Sequence, residues 1–415
     1  MKACLIGREI SYSYSPLIHK GFNEEIDYQI VDLSTDEEFV NFMKSNEYDF
    51  FNVTIPYKEQ VQPYLDEIDE SAKTIGAVNL VVRRDDKLIG YNTDFYGIKS
   101  AFELNGISLK DKVVMILGSG GTYKTAKAVC QKEGVKKLIS VSRASKPGFI
   151  TYEHVKYQND VEIIINCTPV GTYPHIYDKN IDLRPFSKLE AVLDMIYHPM
   201  RTNFIKQAER LHKVALNGLI PLVYQGGKAQ EIALGKEIAL STYLKVLRLM
   251  RRETSAIALI GMPGSGKSTI GKALANKLGY KFIDTDSLIE KKEGMTIKEI
   301  FEKKGEPYFR KKEEEVSRKL VDSKKLVIAT GGGMVINPRI MANLSYNSTL
   351  VYLYTDEEID LYNGKRPLLK NKEDYFRLLK ERKPLYQKYG DISILKGYDE
   401  IDEVVERIIE KLWRY

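Results

Sequence analysis

The run Gly261-Met262-Pro263-Gly264-Ser265-Gly266-Lys267-Ser268-Thr269 has the residue types and spacing to hold a polyphosphate. Glycines at 261, 264 and 266 let backbone N–H groups approach phosphate oxygens with no Cβ in the way. Lys267 supplies charge for the β- and γ-phosphates, and Ser268 a hydroxyl for Mg²⁺. Ser265 and Thr269 belong to the same ATP-binding set. Downstream, Asp284-Thr285-Asp286 ends an apolar run with two carboxylates. Beside a phosphate loop, such a pair suits metal binding and activation of an acceptor hydroxyl. Gly331-Gly332-Gly333 is bare backbone that permits very close approach by a ligand. One arginine alone reads as a surface charge. Arg310, Arg366 and Arg382 around one phosphate loop read as anion clamps.

A second chemistry lies earlier in the chain. Ser13 and Ser15 sit in a hydroxyl-rich loop, where Pro16 is expected to keep Ser15 extended. Lys58, Asn79 and Asp94 each fall at a strand end, where α/β sheets place ligands. A lysine ammonium beside a carbonyl oxygen stabilises developing negative charge and can supply a proton. Gly118-Ser119-Gly120-Gly121 lies between an apolar run and a helical pattern, the form of a dinucleotide-binding turn. Tyr123 occupies the third glycine position and is expected to crowd that turn. The next strand ends in Ser142-Arg143-Ala144-Ser145-Lys146. An NAD site wants an acid there for the ribose 2′-OH. Arg143 and Lys146 instead suit a 2′-phosphate, so the expected cofactor is NADP. No zinc-type ligand spacing appears, and the reductive chemistry is expected to need no metal.

These groups need α/β sheets to carry them. Lys2–Gly7, Tyr28–Leu33 and Phe50–Ile55 read as strands, followed by a hairpin that turns at Asp85-Asp86. Val113–Leu117, Leu138–Val141, Val161–Cys167, Ala191–Met195 and Val214–Leu216 continue the alternation. One long helical stretch is expected over Val223–Arg252, then a short joint at Glu253–Ser255 and a buried strand before the phosphate loop. The polar stretch from Thr355 to Glu373 reads as a lid. The expected domains are 1–95, completed by the helical segment 223–252; 96–222; and 255–415. The apolar fraction of 43% and charged fraction of 29% are those of an ordinary globular chain. The net charge of +6 is interspersed with acids, which does not make a nucleic-acid stripe. Three scattered cysteines point to a reducing cytoplasm, the run Met1–Glu9 meets a charge too soon for a signal h-region, and no apolar run suits a membrane.

Residues from Met1 to about Met250 resemble shikimate dehydrogenase. The matches are Ser13-Tyr14-Ser15-Pro16, Asn52-Val53-Thr54-Ile55-Pro56-Tyr57-Lys58, Gly76-Ala77-Val78-Asn79, Asn92-Thr93-Asp94, Gly118–Gly121, Asn166–Gly171, Asp194–Tyr197 and Gln225-Gly226-Gly227. The resemblance implies a substrate domain followed by a Rossmann-like NADP domain. It implies that Ser13 and Ser15 bind the shikimate carboxylate. Thr54, Asn79, Asp94, Tyr197 and Gln225 would surround the ring hydroxyls, Lys58 and Asp94 would be the catalytic pair, and Gly218 is expected on the cofactor side. From about Ser255 to Tyr415 the chain resembles shikimate kinase, a P-loop α/β domain. That implies a metal-side Asp284, a substrate-side Asp286, a carboxylate held by Arg310, Arg382 and the glycine triplet, and a lid arginine at Arg366. Ile359 stands where many members carry an arginine for the adenine. The combined reading is a bifunctional enzyme using NADPH, ATP and Mg²⁺ on 3-dehydroshikimate and shikimate. Two neighbouring readings are a quinate/shikimate dehydrogenase of broader specificity fused to the same kinase, and a kinase with a non-catalytic, regulatory dehydrogenase-like half.

Overall fold

The computed structural model describes residues 1–355, 372–397 and 399–412. Two compact units emerge: Met1–Tyr197 with Thr202–Met250, and His198–Arg201 with Arg251–Tyr415. Of the expected lid, residues 356–371, with Arg366 and Ile359, lie outside the described residues.

The first unit holds two six-stranded sheets. In the first, β1 (Lys2–Gly7), β2 (Asp27–Asp32) and β3 (Phe50–Val53) are parallel. β5 (Leu80–Arg84) and β6 (Lys87–Tyr91) form an antiparallel hairpin, and β4 (Glu67–Ile68) pairs along β6. Asp85 and Asp86 both take positive φ, 48° and 62°, as a two-residue hairpin turn requires. The strand order is β2-β1-β3-β5-β6-β4. Its central β1 reads Lys-Ala-Cys-Leu-Ile-Gly and is buried from Ala3 onward, because elements cover both faces.

The second sheet is wholly parallel: β7 (Val113–Leu117), β8 (Lys137–Ser142), β9 (Ile150–Thr151), β10 (Ile163–Asn166), β11 (Ala191–Asp194) and β12 (Val214–Asn217). The order β12-β11-β10-β7-β8-β9 is that of a doubly wound dinucleotide fold, with its reversal between β7 and β10. Tyr123 corrects an expectation here. Its ring turns into the core, 7% exposed, with its hydroxyl 2.8 Å from Ser140 Oγ and its face against Phe149. It leaves the glycine turn open.

Two helical expectations also change. Ser15 is not extended but opens the helix Ser15–Phe22, since Pro16 is tolerated in a first turn where no N–H is needed. The stretch after residue 218 is two helices, Leu219–Leu234 and Leu240–Thr254. Gly235, left-handed at φ 64°, caps the first. The second runs on to Thr254, so the joint before the next strand shrinks to Ser255.

The second unit has one five-stranded parallel sheet among its described residues: β13 (Ala256–Ile260), β14 (Lys281–Asp284), β15 (Leu326–Ala329), β16 (Ser348–Tyr354) and β17 (Ile392–Leu395), in order β14-β15-β13-β16-β17. β13 is buried throughout, and apolar clusters cover both of its faces.

The helix Asp94–Glu103 packs tightly on Leu219–Leu234 because Gly97 has no side chain. A Cβ there would lie 2.5 Å from the Pro221 carbonyl oxygen, backbone that cannot swing aside. Gly97→Ala is therefore expected to force the two helices apart at a cost of about 1–3 kcal/mol. Thermal unfolding checks this, and an unchanged midpoint would refute it.

Candidate functional site

In the first unit, Lys58 and Asp94 meet with Nζ–Oδ2 at 2.5 Å, both side chains 29% exposed. Their positions are set from behind. Tyr57 is fully buried, stacks on Phe39 with ring centres 4.4 Å apart, and donates its hydroxyl to the Leu33 carbonyl. That anchors the backbone just before Lys58, whose own carbonyl accepts from Val78 N–H at 2.8 Å. Asp94 is the first residue of its helix, where the positive end of the helix dipole favours a carboxylate. Asn92 Oδ1 accepts the Asp94 N–H at 3.1 Å, while its amide donates to the Ala77 carbonyl.

The remaining groups form the wall. Asn79 Oδ1 accepts from Thr93 N–H at 2.7 Å, and Asn79 Nδ2 donates to Thr93 Oγ1 at 3.1 Å. Gln225 donates to the Leu222 carbonyl, with Oε1 3.5 Å from Thr93 Oγ1. Ser13 and Ser15 hydroxyls lie 3.1 Å apart at the start of a helix, a place that suits a carboxylate. Burial pushes the Tyr197 phenol up to about 12, so it stays a hydrogen-bond donor. Ser13, Ser15, Thr54, Lys58, Asn79, Asp94, Tyr197 and Gln225 all line one cleft of about 780 Å³. Gly121 and Gly218, expected on the cofactor side, also line this cleft. A Cβ at Gly218 would strike the Met195 carbonyl at 2.1 Å.

A second cleft of about 790 Å³ opens where the strand order reverses, lined by Gly118, Ser119, Gly120, Ser142, Arg143 and Lys146 among others. Gly118 has φ 111°, and a Cβ there would press on the Cys167 carbonyl at 3.2 Å. Positions 120 and 121 face open space, so the turn forms a free cradle ahead of the helix Gly121–Lys132. Lys146 Nζ donates to Ser119 Oγ at 3.1 Å, which brings one of the two expected cations to the mouth of that cradle. The residues present fit a dinucleotide phosphate.

In the second unit, Gly261, Gly264 and Gly266 take φ of 150°, 86° and 86°, the backbone that the phosphate loop demands. Lys267 arches over this loop, donating to the carbonyls of Gly261 at 2.9 Å and Met262 at 2.7 Å. Ser265 is buried inside the loop, and Thr269 is exposed in the first turn of the helix Lys267–Leu278. Ser268 Oγ donates to Asp284 Oδ2 at 2.6 Å. Asp284 is fixed in turn, because Oδ1 caps the helix Thr285–Glu293 by accepting from Asp286 and Ser287 N–H. A hydroxyl and a held carboxylate at a phosphate loop fit Mg²⁺. Among the described residues no cluster of three metal-ligating side chains exists, so the ion's remaining ligands would be phosphate and water.

Around the glycine triplet the chain is crowded. The space above it is filled by the protein's own groups. A Cβ at Gly331 would lie 2.4 Å from Asp286 Oδ1, at Gly332 2.7 Å from Pro263, and at Gly333 2.2 Å from the Arg310 guanidinium. The glycines leave room for these groups. Arg310 Nη1 donates to Glu313 Oε2 at 2.8 Å, and Arg382 and Tyr386 both donate to the Gly332 carbonyl. Burial, and then Asp284, raise the Asp286 carboxyl to about 6; burial raises Glu313 to about 7 against the pull of Arg310. Asp286 Oδ1, Glu313 Oε1 and Arg382 Nε are buried without a hydrogen-bond partner. Unpaired buried polar atoms are costly, and a site that holds several is built for a polar ligand. Sequence reasoning missed Glu313 and Tyr386. The Arg310-x-x-Glu313 spacing, one helical turn apart, was the available signal for Glu313; nothing distinguished Tyr386 among so many tyrosines.

Comparison with known proteins gives the same division. The family model for the shikimate dehydrogenase substrate binding domain matches residues 5–81, and that for shikimate kinase matches residues 263–413. A shikimate dehydrogenase (NADP(+)) of Clostridium beijerinckii is 36% identical over 243 residues, 55% of this chain and 90% of the relative. The crystal structure of shikimate dehydrogenase 1 from Peptoclostridium difficile superposes with a TM-score of 0.54 at 33% identity, covering 60% of this chain and 97% of that one. A shikimate dehydrogenase solved in complex with NADP+ gives 0.53 at 31% identity, covering 59% and 94%. The chain thus belongs to the shikimate dehydrogenase family and carries a shikimate kinase domain behind it, a bifunctional enzyme of the shikimate pathway.

Proposed function

We propose that the first unit reduces 3-dehydroshikimate to shikimate with NADPH, and that the second phosphorylates the 3-hydroxyl of shikimate with ATP and Mg²⁺. The observation that carries the first half is the Lys58–Asp94 contact inside a cleft walled by hydroxyl and amide groups. The nicotinamide, when bound, supplies a hydride to the carbonyl carbon. Lys58 stabilises the charge that develops on the carbonyl oxygen and delivers a proton to it. Asp94 orients Lys58 and binds a ring hydroxyl. Ser13 and Ser15 hold the carboxylate at the far end, and Asn79, Thr54, Tyr197 and Gln225 read the remaining hydroxyls. Thr93 holds both Asn79 and Gln225, which fixes which of their atoms face the ring.

In the second unit the three orphaned polar atoms carry the reading. Asp286 Oδ1 is free to accept the substrate hydroxyl proton and Arg382 Nε to donate to a carboxylate; Arg310, now bonded to Glu306 and Glu313, would exchange one of these carboxylates for that of the substrate. Lys267 exchanges its two loop carbonyls for phosphate oxygens. Ser268 and Asp284 would hold Mg²⁺. Arg366, in the sequence that follows β16, would close over the transferring phosphoryl group. A small-molecule pair of substrates accounts for both clefts. Among the described residues, no helix is long and apolar enough to cross a membrane; a cytoplasmic location is the reading that the three cysteines without a disulfide support.

Three outcomes are expected. Lys58→Ala should lower 3-dehydroshikimate reduction by on the order of a hundredfold or more while kinase turnover persists; near-normal reduction would remove Lys58 from the chemistry. The reductase should prefer NADPH, and Arg143→Asp should erase or reverse that preference. Equal kcat/KM for NADPH and NADH in the unmutated enzyme would defeat this. The kinase needs Asp286 ionised, and Asp286 protonates as pH falls through about 6. Kinase kcat/KM should therefore drop below that pH while rising no further well above it, and Asp286→Asn should be nearly inactive at every pH. A kinase profile flat down to pH 5 would show that Asp286 does not take the proton.

A further inference from the structure

We propose that Lys396 is a phosphate-side contact for the bound nucleoside triphosphate, a second ammonium at the loop beside that of Lys267. Lys396 follows β17, in a loop at the carboxyl end of the sheet, on the same edge as the phosphate loop. Its N–H donates to the Tyr354 carbonyl at 2.8 Å, which ties the start of that loop to the end of β16. Its side chain then runs across Gly266. A Cβ built on Gly266 would lie 3.4 Å from Lys396 Cδ and 3.6 Å from Cε. Gly266 is the residue whose backbone turns into the helix Lys267–Leu278. The ammonium lies one bond beyond Cε, which puts it within reach of a phosphate held by this loop.

The charges nearby leave it free for that task. Of the two acids in the same loop, Asp399 and Glu400, Asp399 is taken by Arg407 at 2.5 Å, and Arg407 also donates to the Leu395 carbonyl at 2.8 Å. Among the described residues Lys396 makes no ion pair and no side-chain hydrogen bond. A partnered stem with an unpartnered head is how a lysine is held out towards an anion. Lys396 lies outside the phosphate-loop motif, so spacing alone does not reveal it.

This inference rests on the second unit binding ATP, and the test separates the two. Steady-state kinase assays would compare the unmutated enzyme with Lys396→Met, Lys396→Gln and Lys396→Arg, with MgATP varied and shikimate saturating. Unmutated enzyme that shows no MgATP-dependent phosphorylation of shikimate would overturn the functional reading itself. Given that activity, Lys396→Met and Lys396→Gln should each raise the KM for MgATP roughly five- to tenfold, the range of one partly screened charge contact. Lys396→Arg should retain most of the affinity, and the difference should shrink as salt rises. Inhibition by adenosine, which has no phosphate, should be equal in all four proteins. Reductase activity and the unfolding midpoint report that each variant is folded. A KM for MgATP unchanged in both neutral variants, or an equal loss of adenosine inhibition, would overturn the proposal.

Discussion

A parallel sheet buried on both faces leaves polar chemistry one outlet, the loops at the carboxyl ends of its strands. The groups proposed here for the chemistry itself obey that constraint, while helices bring in Gln225, Arg310 and Arg382 from the side. Lys58 follows β3, Asp94 follows β6, the dinucleotide turn follows β7, the phosphate loop follows β13, and Asp284 closes β14. The strands β7 (Val-Val-Met-Ile-Leu) and β13 (Ala-Ile-Ala-Leu-Ile) are wholly apolar and buried, and hold those ends in register. Side chains from remote parts of the sequence meet because their strands pair. Asn166 and Asp194 lie on neighbouring β10 and β11, and their side chains touch at 2.8 Å.

The two sites manage buried polarity differently. Around Lys58 and Asp94 the amides and hydroxyls are largely satisfied by each other, so the cleft is set before any ligand arrives. Around Asp286 the protein leaves carboxylate and guanidinium atoms buried and unmatched. Desolvating such groups costs stability, and ligand hydrogen bonds restore what is lost. The reductase site is thus preorganised by hydrogen bonding, whereas the kinase site has part of its bonding deferred until the substrate is present.

Much of this was readable from residue order. The phosphate loop, the two β-α alternations, the Asp85-Asp86 hairpin and the motif residues of the first cleft depend on local spacing, and the structure brings the eight proposed wall residues to one cavity. What escaped depends on side-chain direction. Tyr123 looked like an obstruction because its position was known and its rotamer was not. Ser15 looked extended because proline restricts its predecessor, yet a helix start tolerates both. Glu313 has only its spacing of one helical turn from Arg310 to mark it in the sequence; its burial beside Arg310 is what singles it out. The long helical pattern near the end of the first unit hid a break at Gly235, since glycine within an apolar run has no signature of handedness.

The crowding at Gly331, Gly332 and Gly333 bears on how this chain could change over evolutionary time. Each glycine is matched to a bulky partner far away in the sequence: Asp286, Pro263 and Arg310. A larger residue at any of the three requires its partner to shrink or withdraw, and two of those partners are proposed substrate ligands. Drift at the triplet is therefore coupled to drift in the specificity of the site. In a lineage that abandoned the kinase activity, glycine and partner should be lost together, leaving paired substitutions as the trace.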